Sequence, residues 1–112
     1  MDLLTTKVKS KIKEHSLSEF PDECCGLIVL DQDNSIDSMK CKNIANNKSS
    51  FFEIDPLDYL KVSEKGDIKA YYHSHTSDNH SFSGADKAIS QSSNLPLIMY
   101  SVKINKFSEY HG

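Results

Sequence analysis

IKAYYHSHTSDNHSFSGADKA, residues 68–88, is the stretch on which the fold turns. Its first eight residues, with Ile68, Tyr71 and Tyr72, read as a strand. Its end, continuing into ISQSS, reads as a helix with Ser83 at the N-cap. In between, three of the chain's five histidines fall within eight positions. If 68–75 is extended, its period of two sends His73 and His75 to one face and Ser74 to the other. If a helix starts at Ser83, Asp86 lies three residues on, in its first turn. Two imidazoles and a carboxylate then converge where the strand ends and the helix begins. Three such protein ligands, with a fourth position left for water, make a catalytic zinc set rather than a structural one. The pattern His73-x-His75-x7-Ser83-x2-Asp86 arises in roughly 0.3% of shuffled sequences of this composition, so chance is a weak explanation for it.

Outward from that stretch the chain alternates between helix and strand patterns. Leu4, Val8 and Ile12 recur at four-residue steps and mark the apolar face of an opening helix, with Lys7, Lys9, Lys11 and Lys13 on its wetter sides. CGLIVL reads as a buried strand, DQDN as a hairpin turn, and residues 35–44 as the strand that follows. NIANNKSS is a polar loop and FFEI a short strand. DPLDYLKVSEKG carries a helix start, Asp55 as N-cap with Pro56 at the first helical position, and Gly66 as its stop. LPLIMYSV and INKF read as two closing strands. This order predicts an α/β fold, a mixed β-sheet sandwiched by helices. With 112 residues, 38% of them hydrophobic, residues 1–112 are expected to form one domain.

Composition narrows the partners. Net charge is −3 and the basic residues are all lysines, so no guanidinium fork is available to clamp phosphates or base edges. No nucleic-acid partner is expected. The longest apolar runs, GLIVL and LPLIMY, fall far short of the ~18–20 residues that span a bilayer, and the first residues lack the apolar core of a signal peptide. The expected location is the cytoplasm, without a membrane partner. Cys24, Cys25 and Cys41 are odd in number, and adjacent cysteines form only a strained disulfide. Without a CxxC pair they read as small buried thiols in a reducing compartment, not as zinc ligands.

PDECCGLIV places Glu23 three residues before Gly26 at the start of a strand. Together with His73-x-His75-x7-Ser83-x2-Asp86 it resembles the signature of the JAMM (MPN+, Mov34/MPN/PAD-1) zinc metallopeptidases. The resemblance implies a cytidine-deaminase-like α/β architecture and one Zn²⁺ per chain on His73, His75 and Asp86. It makes Glu23 the general base and Ser83 a stabiliser of the oxyanion, in hydrolysis of an amide bond of a peptide or protein substrate. The chemistry is coherent on its own terms: zinc lowers the pKa of a bound water to ~7 and polarises a carbonyl, while a nearby carboxylate moves protons. The family usually reads H-S-H-P, whereas here Thr76 follows His75, which is expected to leave that loop more mobile. His80 takes no part in the signature and is expected to be an exposed, inert loop histidine, and His15 and His111 are weaker candidates still. Cys25 is expected to pack tightly behind the site.

FFEIDPLDYLKVSEKGDIKAYYHSH and SGADKAISQSSNLPLIMYSV resemble, more diffusely, the amino-terminal JAMM domain of lambda-type phage tail assembly proteins. That branch implies phage tail proteins as partners, and the host cytoplasm or the virion tail as location. It also implies an alternative to hydrolysis, a non-catalytic zinc-binding tail-tip scaffold. A cysteine-dependent peptidoglycan endopeptidase domain follows in that branch, and 112 residues are expected to leave no room for it.

Overall fold

The computed structural model describes residues 2–112 as α1 (Thr6–Glu19), β1 (Cys25–Asp31), β2 (Ile36–Cys41), α2 (Pro56–Ser63), β3 (Gly66–His75), α3 (Gly84–Ser93), β4 (Leu97–Ser101) and β5 (Lys106–Tyr110). The strands form one sheet in the order β2-β1-β3-β4-β5. Neighbours are antiparallel except β3 and β4, which run parallel and are joined through α3. The sheet is therefore mixed, as the order of elements predicts. Helices cover both faces. Val8 and Ile12 of α1 pack with Cys24, Ile28, Ala70, Tyr72, Ile98 and Tyr100 on one face. Cys25, Leu27, Val29, Phe52, Val62 and Leu97 form the core of the other, with Ile89 of α3 against them.

Strand alternation explains this division, with one interruption. Between Ile28 and Val29, β1 advances one residue while β3 advances two, from Ala70 back to Ile68. Lys69 is the extra residue of a β-bulge, which puts Ile68 on the same side as Tyr71. Period two therefore runs unbroken only over Ala70–His75, the part that carries the histidines. Gly26 lies opposite Tyr72, and a β-carbon there would collide with the Tyr72 ring and the Met39 carbonyl, so the glycine lets that ring lie across β1.

Several local expectations shift. Thr5 caps α1 by accepting the Val8 N–H at 3.2 Å, so Leu4 precedes the helix and packs, partly buried, against the same core. Asp55 caps α2 with Pro56 behind it, but the helix ends at Ser63. Gly66 opens β3 instead, where a β-carbon would run into the Leu30 carbonyl of β1. The expected FFEI strand is reduced to a single bridge between Asn43 and Ile54. β2 is shorter than 35–44, and Ile104 belongs to a 3-10 turn ahead of β5.

Candidate metal centre

β3 carries both histidines to the sheet's interior end, where His73 lies opposite Cys25 on β1 and Met99 on β4, and His75 opposite Ser101. Both rings are buried on the face of α2 and α3. His73 Nδ1 is 3.0 Å from the Ile98 carbonyl and His75 Nδ1 is 3.1 Å from that of Asn79. A carbonyl only accepts, so both Nδ1 atoms carry a proton; each Nε2 holds a lone pair when its ring is neutral and a proton directed at Asp86 when the ring is charged. The opposing element is the first turn of α3. Ser83 Oγ accepts the Asp86 N–H at 3.0 Å and Asp86 Oδ2 accepts the Ser83 N–H at 2.9 Å, a reciprocal capping box. That box aims Asp86 Oδ2 at the strand, 3.1 Å from His75 Nε2 and 3.4 Å from His73 Nε2. Ser83 is thereby held by Asp86 at the rim.

Glu23 arrives from the segment before β1. The Cys24 N–H donates to Ser74 Oγ at 2.8 Å and the Ser74 N–H donates to the Cys24 carbonyl at 3.1 Å. Ser74 thus points away from the histidines, as its parity requires, and ties the Glu23 segment to the strand that bears them. Ligand atoms of Glu23, His73 and His75 lie within 4.8 Å of one another. These buried residues could hold a metal ion.

The donor chemistry fits a cation. Two imidazole lone pairs facing a carboxylate oxygen repel it unless a positive charge lies between them. Tetrahedral zinc with bonds of ~2.0–2.1 Å sets its ligand atoms about 3.3–3.4 Å apart, close to the spacings found here. Glu23 Oε1 and His73 Nε2 are among the buried side-chain atoms left without a hydrogen-bond partner. Such orphans are rare in folded proteins and call for an explanation. Burial raises the Glu23 carboxyl to about 8, with His75 pulling it down and Asp86 pushing it up. Burial would also raise Asp86, but its hydrogen bonds with His73 and His75 hold it well below the usual carboxylate range. Burial lowers His73, and the pull of Asp86 recovers only part of that. For His75 burial is again the largest influence and acts downward, but the hydrogen bonds to Asp86 and the Asn79 carbonyl and the charges of Glu23 and Asp86 together outweigh it, and the net shift is upward. Charge is therefore favoured on Asp86 and His75, while burial disfavours it on Glu23 and His73.

Other residues depart from expectation. Thr76 is buried, and its Oγ1 donates to the Pro21 carbonyl at 2.9 Å and approaches that of Ser49 at 3.4 Å. A hydroxyl thus ties down the loop where proline would stiffen it. His80 is half-buried, with Nδ1 buried and unpartnered, not exposed. His15 is buried against Tyr72. Cys25 packs tightly behind the site, and all three cysteines are buried and free. Phe52, which no sequence signal singled out, stacks on His73 with ring centroids 4.7 Å apart. A largely apolar groove of about 510 Å³ runs outward from there between Phe52, Ile54 and Tyr71 on one side and Ala85, Ala88 and Ile89 on the other. Among the described residues no helix is long and apolar enough to cross a membrane.

Comparison with known proteins gives the chain its family and relatives for its fold. The chain is 30% identical over 91 residues, 80% of its length, to the tail tip assembly protein K of Escherichia phage N15, of which it spans 37%. The solution structure of a protein from Desulfitobacterium hafniense, 21% identical, has the same fold, with a TM-score of 0.72 over 94% of this chain and 78% of that one. Residues 5–110 match a family described as prokaryotic homologs of the JAB domain. The chain belongs to that family, and so to the JAMM/MPN relatives that its histidine pattern resembles.

Proposed function

We propose that residues 1–112 form one metallopeptidase or isopeptidase domain that hydrolyses an amide bond of a peptide or protein. In this reading His73, His75 and Asp86 hold one Zn²⁺, Glu23 is the general base and Ser83 steadies the oxyanion. One observation carries it: two Nε2 atoms, with the Nδ1 of each ring committed to a carbonyl, face a single carboxylate oxygen at 3.1 and 3.4 Å beside a buried glutamate.

Zinc held there would polarise the scissile carbonyl and acidify a water. Burial raises Glu23 to about 8, and a dication beside it would bring it back towards neutrality, the range in which a general base works best. From its place just before β1, Glu23 would take a proton from the attacking water and pass it to the leaving amine. Ser83 uses its N–H on Asp86 and its Oγ lone pair on the Asp86 N–H, which leaves the hydroxyl proton free for a developing oxyanion. The apolar groove beside Phe52 suits an extended peptide more than a sugar or a nucleotide.

Similarity to the tail tip assembly protein K of phage N15 supports a place in tail assembly, with tail proteins as partners and the host cytoplasm or virion tail as location. It equally supports a zinc-binding scaffold that cleaves nothing, although a scaffold has no chemical use for Glu23. The test is zinc per chain by elemental analysis for wild type, His75→Ala and Glu23→Gln, followed by hydrolysis of a quenched-fluorescence peptide library. One zinc in wild type and Glu23→Gln, none in His75→Ala, and hydrolysis by wild type alone is the expected result. Zinc without any cleavage dependent on Glu23 would favour the scaffold, and no zinc in wild type after reconstitution would overturn both.

A further inference from the structure

We infer that Asn43 is a positioning residue for Glu23, an inference that rests on the reading of Glu23 as general base. The Asn43 amide makes four hydrogen bonds. Its Nδ2 donates to the Glu23 carbonyl at 2.9 Å and to the Phe51 carbonyl at 3.0 Å. Its Oδ1 accepts the Ala45 N–H at 3.0 Å and the Glu53 N–H at 3.1 Å. The other backbone group of Glu23, its N–H, donates to the Lys48 carbonyl at 2.7 Å. Both backbone groups of the base therefore end on the segment 43–53.

The carboxylate itself has no comparable tether, since Oε1 is buried without a partner. Where it sits relative to the imidazoles is set through its backbone, from two sides. Ser74 holds the following residue, Cys24, to the histidine strand, and Asn43 holds Glu23 to the loop. The same amide grips Phe51 and Glu53, the two neighbours of Phe52, whose ring stacks on His73. One side chain thus fixes the base and the ring behind a histidine while touching neither imidazole. Only an amide offers two donors and two acceptors in this shape. An aspartate would keep the acceptor side and turn an oxygen towards the Glu23 carbonyl.

Asn43→Asp isolates the donor side, with Ser49→Ala as a control that loses only its bond to Asn47 in the same loop. In Asn43→Asp we expect one zinc per chain, KM within about twofold of wild type and kcat lower by roughly 10- to 100-fold on the best library peptide, the signature of a misplaced base. By NMR on metal-free protein, the Glu23 amide should exchange about tenfold faster and the Glu23 side-chain carboxyl ¹³C resonance should move, with Ser49→Ala unchanged. Should Asn43→Asp not fold, Asn43→Ser, too short to bridge the Glu23 and Phe51 carbonyls, carries the same expectation. The NMR arm needs no substrate. A wild type that cleaves nothing would sink the functional reading alone, whereas unaltered Glu23 exchange and carboxyl resonance in the variant would overturn the clasp.

Discussion

His15 and His73 are both buried, on opposite faces of one sheet, and differ in what their second nitrogen meets. His15, on α1, sets Nδ1 2.7 Å from the Tyr72 hydroxyl and meets that ring edge-on. Burial, with some help from the charge of Lys40, lowers its pKa to about 4, so it stays neutral near pH 7. His73, the residue after Tyr72, points to the other face with Nδ1 on a backbone carbonyl and Nε2 unpartnered before Asp86. Residue type and burial do not separate a core histidine from a ligand. What differs is that His15 Nε2 meets only the exposed Glu19 carboxylate at 4.0 Å, whereas His73 Nε2 shares a buried carboxylate oxygen with a second imidazole.

The largest effect that could break this contrast is loss of metal. Asp86→Asn keeps an oxygen for the Ser83 N–H, and so the cap of α3, but removes the charge that, in the proposed reading, would draw a cation between the rings. Elemental analysis should show one zinc per wild-type chain and little or none for Asp86→Asn, with the helical circular dichroism retained. His15→Gln should hold zinc like wild type. If His15→Gln stripped the metal and Asp86→Asn kept it, the two faces would have exchanged roles.

Stability against pH sharpens the same comparison, because the faces respond with opposite sign. In metal-free protein Glu23 is raised from 4.5 to about 8, so between those values the native state holds a proton that the unfolded chain has released. Its contribution is therefore present below pH 4.5 and lost as pH rises through about 8. Glu23→Gln should be more stable than wild type by about 2–4 kcal/mol at pH 8.5, and close to it at pH 4.5, in urea melts with chelator present. His15 is lowered from 6.5 to about 4, so its contribution is present above pH 6.5 and lost as pH falls through that window. His15→Gln should flatten the acid limb by up to about 3 kcal/mol. Parallel curves for wild type and either variant would count against the corresponding burial.

The placement of the candidate site residues was legible where they follow local rules, while their selection as a site came from the family resemblance. His73 and His75 needed only period two, and Asp86 and Ser83 only the capping preference of a helix start. The helix-covered mixed sheet followed from the order of elements. What the sequence did not disclose depends on contacts between distant segments. Lys69 looks like any strand residue until β1 fixes the register. FFEI has strand composition, but the Asn43 side chain takes the hydrogen bonds a partner strand would make. Thr76 looks like a loosened proline, because its acceptors lie at Pro21 and Ser49. His15 did leave a trace: it continues the Val8 and Ile12 stripe on the buried side of α1, although nothing local names Tyr72 as its partner.

The smallest expected effect tests whether that partner matters only to the core. Tyr72→Phe keeps the ring that covers Gly26 and removes one oxygen, leaving His15 Nδ1 buried without its hydrogen bond. An unsatisfied buried group costs about 1–3 kcal/mol, which for a protein of this size is a fall of several degrees in Tm. Zinc content should stay at one per chain, because the hydroxyl lies on the α1 face while the neighbouring His73 faces α3. A drop in Tm with zinc retained would mean that a single β-strand insulates a purely structural histidine from a ligating one. Loss of zinc would mean that the strand transmits the disturbance across the sheet, and that Tyr72 belongs with Ser74 among the residues that hold the metal face in place.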